Sequence, residues 1–174
     1  MLLAAAVALS GCAAGSARVA APPQRELGVP GARLWLSYPA GWSAEAQPVI
    51  DVRGSSAERL RVGSFRPPEG PRDHPHARLP AAGAFVLLYE NDHGAAKYDP
   101  PRPAHFTLGR RELGAFACMG YPWPGYMVRF HDHGRSFMAV VALGVRASAV
   151  TGLRVLRLLD SIRVGPLPSD SRRV

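Results

Sequence analysis

Arg135–Leu143 (RSFMAVVAL) is the segment that most restricts what this chain can fold into. In an extended conformation Phe137, Ala139, Val141 and Leu143 share one side, and Met138, Val140 and Ala142 share the other. Both sides are apolar, so the pattern predicts a central strand covered on both faces. Tyr126–His131 precedes it and puts Tyr126, Val128 and Phe130 on one face. Between the two arms, His133-Gly134 fits a tight hairpin turn in which glycine supplies a positive φ, flanked by Asp132 and Arg135.

Other segments read as short strands. Ala32–Tyr38 alternates, with Leu34, Leu36 and Tyr38 on one side, and runs into a Pro39-Ala40-Gly41 turn before Trp42. Val49–Val52, Leu60–Phe65, His105–Leu108 and Ala115–Met119 are further candidates. Ala84–Glu90 is a near-continuous apolar run, as in a buried strand, and Ile162–Val164 reads as a closing edge strand. Pro67, Pro68, Pro71, Pro75 and Pro80 mark a loop, because proline removes a donor and restricts its predecessor. Pro100-Pro101-Arg102-Pro103 closes a second loop over 91–104. Ser148–Ser161 is the one convincing helix. Val150, Leu153, Leu156 and Leu159 recur near helical spacing, Arg154 and Arg157 take the outer face, and Ser148 caps the start. A single turn of helix is expected near Ala77–Ala82. Glycine and proline, 18 and 17 of 174 residues, argue against an all-helical bundle, and 47% hydrophobic residues argue against a disordered chain. The expected fold class is α+β: an antiparallel β-sheet of about six to eight strands with one C-terminal helix packed on it.

The N-terminus carries a different signal. Leu2–Leu9 is an apolar Leu/Ala/Val run, too short to span a bilayer but long enough for a signal peptide. Leu9-Ser10-Gly11-Cys12 follows it and resembles the lipobox of bacterial lipoproteins. That resemblance implies that residues 1–11 are a signal peptide and that Cys12 is acylated on sulfur as the first mature residue. It also implies a lipid-anchored location on the extracytoplasmic face of the cell membrane. Nothing charged precedes Arg18, whereas a signal peptide opens with Lys or Arg, so an upstream start stays open. Residues 12–25 then read as lipidated cysteine and tether, 26–164 as one α+β domain, and 165–174 as a polar tail.

Within the domain, Tyr38-Pro39-Ala40-Gly41-Trp42 and Leu159-Asp160-Ser161-Ile162 resemble segments of secreted bacterial domains of the PsbP-like type. Together with Gly134-Arg135-Ser136-Phe137, they are more closely similar to uncharacterised actinobacterial secreted domains. The bias of 20 Arg to one Lys fits a GC-rich genome. This resemblance implies an antiparallel sheet with helix and no particular reaction.

Candidate chemistry is sparse. His74, His76, His93, His105, His131 and His133 include two His-x-His pairs, which makes a metal-handling envelope protein the alternative reading. Yet His74-Pro75-His76 lies in the proline-rich loop, and His131 and His133 are expected to be solvated turn residues. No metal site or cofactor is therefore expected. Cys118 lies among Phe116, Ala117 and Met119 and reads as an inert buried thiol. No Gly-x-Ser-x-Gly or paired carboxylates point to hydrolysis, so no catalytic residue and no enzyme activity are expected. Tyr121, Trp123 and Tyr126, in an aromatic–proline segment, are the candidate ligand-binding residues. They read either as a binding lip or as a plug over a sheet end. The formal charge of +8 lacks a basic helix or a nucleic-acid motif, so anionic lipid or a cell-wall polymer is the expected partner and nucleic acid is not. No protein partner can be named.

Overall fold

A computed structural model describes residues 23–47, 57–66, 78–91, 96–112 and 123–166. The fold is α+β, with eight strands in two antiparallel sheets and a single α-helix. The strands are β1 (Gln24–Val29), β2 (Leu34–Pro39), β3 (Ser43–Ala46), β4 (Ala57–Gly63), β5 (Ala84–Asn91), β6 (Tyr126–Asp132), β7 (Arg135–Leu143) and β8 (Arg163–Val164), with α1 (Ala149–Asp160) between β7 and β8. The smaller sheet runs β1-β2-β8 and the larger β3-β4-β5-β7-β6.

The β6–β7 hairpin follows the expected register, from Tyr126 opposite Val141 to Asp132 opposite Arg135. Its turn places both His133 (φ 49°) and Gly134 (φ 71°) in the left-handed region. That is the two-residue geometry whose twist matches the flanking strands. β7 and β5 form the middle of the larger sheet and are apolar on both faces. On one face Val86, Leu88, Phe137, Ala139 and Val141 are buried with Leu34 and Leu36 of β2 and with Val155, Leu158 and Leu159 of α1. On the other face Phe85, Leu87, Val140 and Ala142 are buried with Trp123, and Phe65 and Leu79 pack against them. At the end of β7 the chain passes very close to a neighbouring turn. A Cβ on Gly144 would lie 2.3 Å from the carbonyl oxygens of Pro80 and Ala81, so only glycine fits there.

Several expectations need correction. β1 starts at Gln24, so Gln24 and Arg25 pair with Pro39 and Tyr38 instead of belonging to the tether. β3 was not expected. It forms because Ser43–Ala46 lies alongside Leu60–Gly63 of β4. His105–Leu108 is not a strand: the Phe106 amide donates to Asp160 Oδ1 at 2.8 Å, not to a neighbouring strand. The described part of Ala77–Ala82 holds no helix; Gly83 N–H donates to Pro80 O at 2.8 Å and closes a reverse turn. Val49–Val52 and Ala115–Met119 lie outside the described residues.

The helix has the expected span and its Ser148 cap, which accepts from the Thr151 amide at 3.1 Å, but not the expected phase. Val155, Leu158 and Leu159 face the core, followed by Ile162, while Val150 and Leu153 are 56% and 54% exposed. A repeat of three residues slips about 60° per step on a helix of 3.6 residues per turn, so Val150, Leu153, Leu156 and Leu159 spread over half its circumference. Val155, Leu158, Leu159 and Ile162 follow the i, i+3, i+4, i+7 pattern and stay on one stripe.

Phe137 is fully buried and stacks on Phe130 with ring centroids 5.3 Å apart. Replacing Phe137 by Ala is expected to cost about 3–5 kcal/mol in urea denaturation, from lost burial and the cavity left behind. A cost below about 1 kcal/mol would show that this face is not the core.

Candidate functional site

Ionisable groups concentrate where β5 ends and β7 begins, on both faces of the larger sheet. On the face towards the smaller sheet, Glu90 Oε1 accepts from Arg135 Nε and Oε2 from Arg59 Nε, each at 2.8 Å. Arg59 reaches this face because β4 is irregular. Glu58 pairs with Tyr89 and Leu60 with Leu88, so Arg59 is the extra residue of a bulge. Arg135 is fully buried, and its Nη1 donates to the carbonyl of Gly165 at 3.0 Å. Arg135 Nη2 and Arg59 Nη1 are buried without an acceptor. Both atoms are sealed from solvent, so as built the cluster offers neither to a ligand.

Burial alone would push the Glu90 carboxyl up. The Arg135 hydrogen bond and charge, with those of Arg59, outweigh it and hold the group below its ordinary value. A carboxylate depressed in the folded state adds stability above its unfolded pKa and loses it as pH falls through the folded one. Glu90→Gln is expected to cost about 3–5 kcal/mol near neutral pH, because it leaves two guanidiniums without their counter-charge. The gap between variant and wild type should narrow below pH 4.5, the ordinary glutamate value. Urea denaturation across that range checks this; a gap independent of pH would show that the carboxylate charge is not what the cluster uses.

The opposite face carries a serine, a histidine and an aspartate in a different order from a hydrolytic triad. Ser136 Oγ donates to Asp99 Oδ2 and accepts from Asn91 Nδ2 at 2.9 Å. His131, directly opposite Ser136 in the ladder, donates from Nδ1 to the backbone carbonyl of Asp99 at 2.7 Å. The hydroxyl proton is therefore committed to a carboxylate, not an imidazole, and Ser136 is fully buried. What this arrangement does is clasp the 99–102 segment to β6, helped by Arg102 N–H donating to His131 O and His131 N–H to Pro100 O.

Among the described residues, those singled out from sequence do not converge. Trp123 is buried against Phe85, edge to face at 5.5 Å. Tyr126 packs on the opposite face of the same sheet. Tyr121, Cys12, Cys118, His74, His76 and His93 lie outside the described residues. His105 is exposed beside Asp160, with Nδ1 3.2 Å from Oδ2. His133 is exposed at the turn, but His131 corrects the reading of two solvated turn residues, because it is half-buried in β6 and hydrogen-bonded. Among the described residues no three His, Cys, Asp or Glu side chains gather as metal ligands, and no helix is long and apolar enough to cross a membrane. The Glu90 and Ser136 clusters escaped sequence reasoning. Their members come from separate strands, and only the bulge at Arg59 brings the second cation to Glu90.

The chain matches no family model, no curated protein and no solved structure. Function must therefore be argued from its own residues.

The two histidines of the hairpin should separate in thermal melts. His133→Asn is expected to stay within about 0.5 kcal/mol, since asparagine tolerates the left-handed turn position. His131→Ala is expected to cost about 1 kcal/mol through its lost hydrogen bond. Equal effects would overturn the assignment of His131 to the clasp.

Proposed function

We propose that this chain is a lipid-anchored extracytoplasmic protein of the bacterial envelope, acylated at Cys12, whose α+β domain serves as a binding or accessory module and not as an enzyme. The observation that carries the reading is the order of an apolar run, Leu2–Leu9, and then Leu9-Ser10-Gly11-Cys12. The thiol takes the lipid, and the small Ser10 and Gly11 suit a peptidase that grips backbone in a narrow cleft. Two or more acyl chains, at about 0.8 kcal/mol per buried methylene, hold a protein to a bilayer where one chain does not. Residues 13–23 then lead to β1, a reach of at most roughly 40 Å of extended chain from Cys12. The similarity to PsbP-like and actinobacterial secreted domains belongs to this same proposal, as an analogy of fold and location.

The described side chains with chemical potential are engaged in holding the fold, as Ser136, Asp99, Glu90 and Arg135 illustrate, which supports a non-catalytic role. Mass spectrometry of the mature N-terminus, after expression in a host with lipoprotein processing and a functional upstream start, is expected to show diacylated or triacylated Cys12. An intact chain beginning at unmodified Met1 in the cytosol would overturn the reading.

A further inference from the structure

The outward face of α1 is neither a core stripe nor a polar one. Val150, Leu153, Arg154 and Arg157 fall within about 100° of the helical circumference, opposite the buried stripe. Val150 and Leu153 are more than half exposed, and Val145, in the turn before the helix, is 81% exposed. Arg146 follows Val145. Arg111 Nη2 donates to the Leu143 carbonyl at 3.2 Å, at the end of β7. Among the described residues no carboxylate pairs with Arg111, Arg146, Arg154 or Arg157. The helix has no acidic residue in its first turn. Its one carboxylate, Asp160, accepts from the Phe106 amide and meets His105 at the far end.

We propose that the outward face of α1, with Val150, Leu153, Arg154 and Arg157, together with the exposed Val145-Arg146 turn just before it, docks on an anionic lipid bilayer. Charge complementarity selects that occupant. Arginines beside exposed apolar side chains on one helix face match headgroup phosphates over an acyl boundary, the pattern of helices that lie in the interface plane. A second copy of the chain fits poorly, because a two-fold contact would bring the same arginines together. A soluble polyanion would engage the arginines but gain nothing from the three exposed apolar side chains. The proposal rests on the reading of the chain as membrane-tethered, since a tether at Cys12 holds the domain at high effective concentration beside the bilayer, where a weak contact suffices.

The test uses the full chain carrying Cys12→Ser, so that no acyl group contributes, in co-sedimentation with phosphatidylcholine vesicles and with vesicles of phosphatidylcholine and phosphatidylglycerol. The apolar leader is common to every protein compared. The unsubstituted face should bind the anionic vesicles at least tenfold more tightly than the neutral ones. Each arginine near a charged surface is worth about fivefold, so Arg154→Gln/Arg157→Gln should lower anionic binding by tenfold or more. Val150→Ser/Leu153→Ser should lower it severalfold, with the melting temperature of each variant checked against the parent. Equal binding to the two vesicle types, or unchanged binding by either folded variant, would overturn the proposal. So would binding to soluble polyphosphate as tight as to vesicles and insensitive to Val150→Ser/Leu153→Ser. None of these results bears on acylation, which the mature N-terminus decides separately.

Discussion

β5 and β7 are apolar on both faces, and the rest of the described fold follows from having to cover them. One face is closed by β2 of the smaller sheet and by α1, which place Leu34, Leu36, Val155, Leu158 and Leu159 against Val86, Leu88 and Val141. The other is closed without a regular element among the described residues. Trp123, Phe65 and Leu79 lie over Phe85 and Leu87, and aromatic edges meet ring faces there. Large rings with few rotatable bonds suit this task, since they cover much apolar area at low entropic cost. Trp123 is therefore accounted for as part of the cover.

The same two strands end in charge, and the two sheets are joined there. Arg135 opens β7 and Glu90 lies near the end of β5, both on the face that meets the smaller sheet. Through Nη1, Arg135 also binds the carbonyl of Gly165, immediately after β8. Gly165 in turn donates to Arg33 O at 2.7 Å, next to β2. A buried guanidinium is costly unless paired and hydrogen-bonded. Here pairing with Glu90 offsets that cost and ties strands that are distant in sequence. Through Arg135, the cluster links the end of the larger sheet to the residue that follows β8 of the smaller one.

Much of the larger sheet was legible because its signals are local. Alternation in Arg135–Leu143, the His133-Gly134 turn and the apolar run at Ala84–Glu90 each sit within one short segment. What was not legible depends on partners. Gln24–Val29 shows little alternation, with only Val29 buried, and becomes a strand because β2 lies beside it. His105–Leu108 has strand-like composition but pairs with none of the described strands. The clusters around Glu90 and Ser136 assemble from segments 31 to 45 residues apart in sequence, a separation that no motif spans.

The phase of α1 links the fold to the proposed location most directly. Two apolar stripes compete in Ala149–Asp160, and packing can satisfy only one, because a helix on a sheet buries about a third of its circumference. The larger and more compact stripe wins, and Val150 and Leu153 are left outside among arginines. In a freely diffusing protein, such residues would be a modest solubility cost with no return. Beside a membrane they become the part of the surface best suited to the neighbour that the N-terminal sequence proposes. The lipobox resemblance and the helix phase come from different ends of the chain and from different physics. Both readings lead to the bilayer, and each can fail without the other.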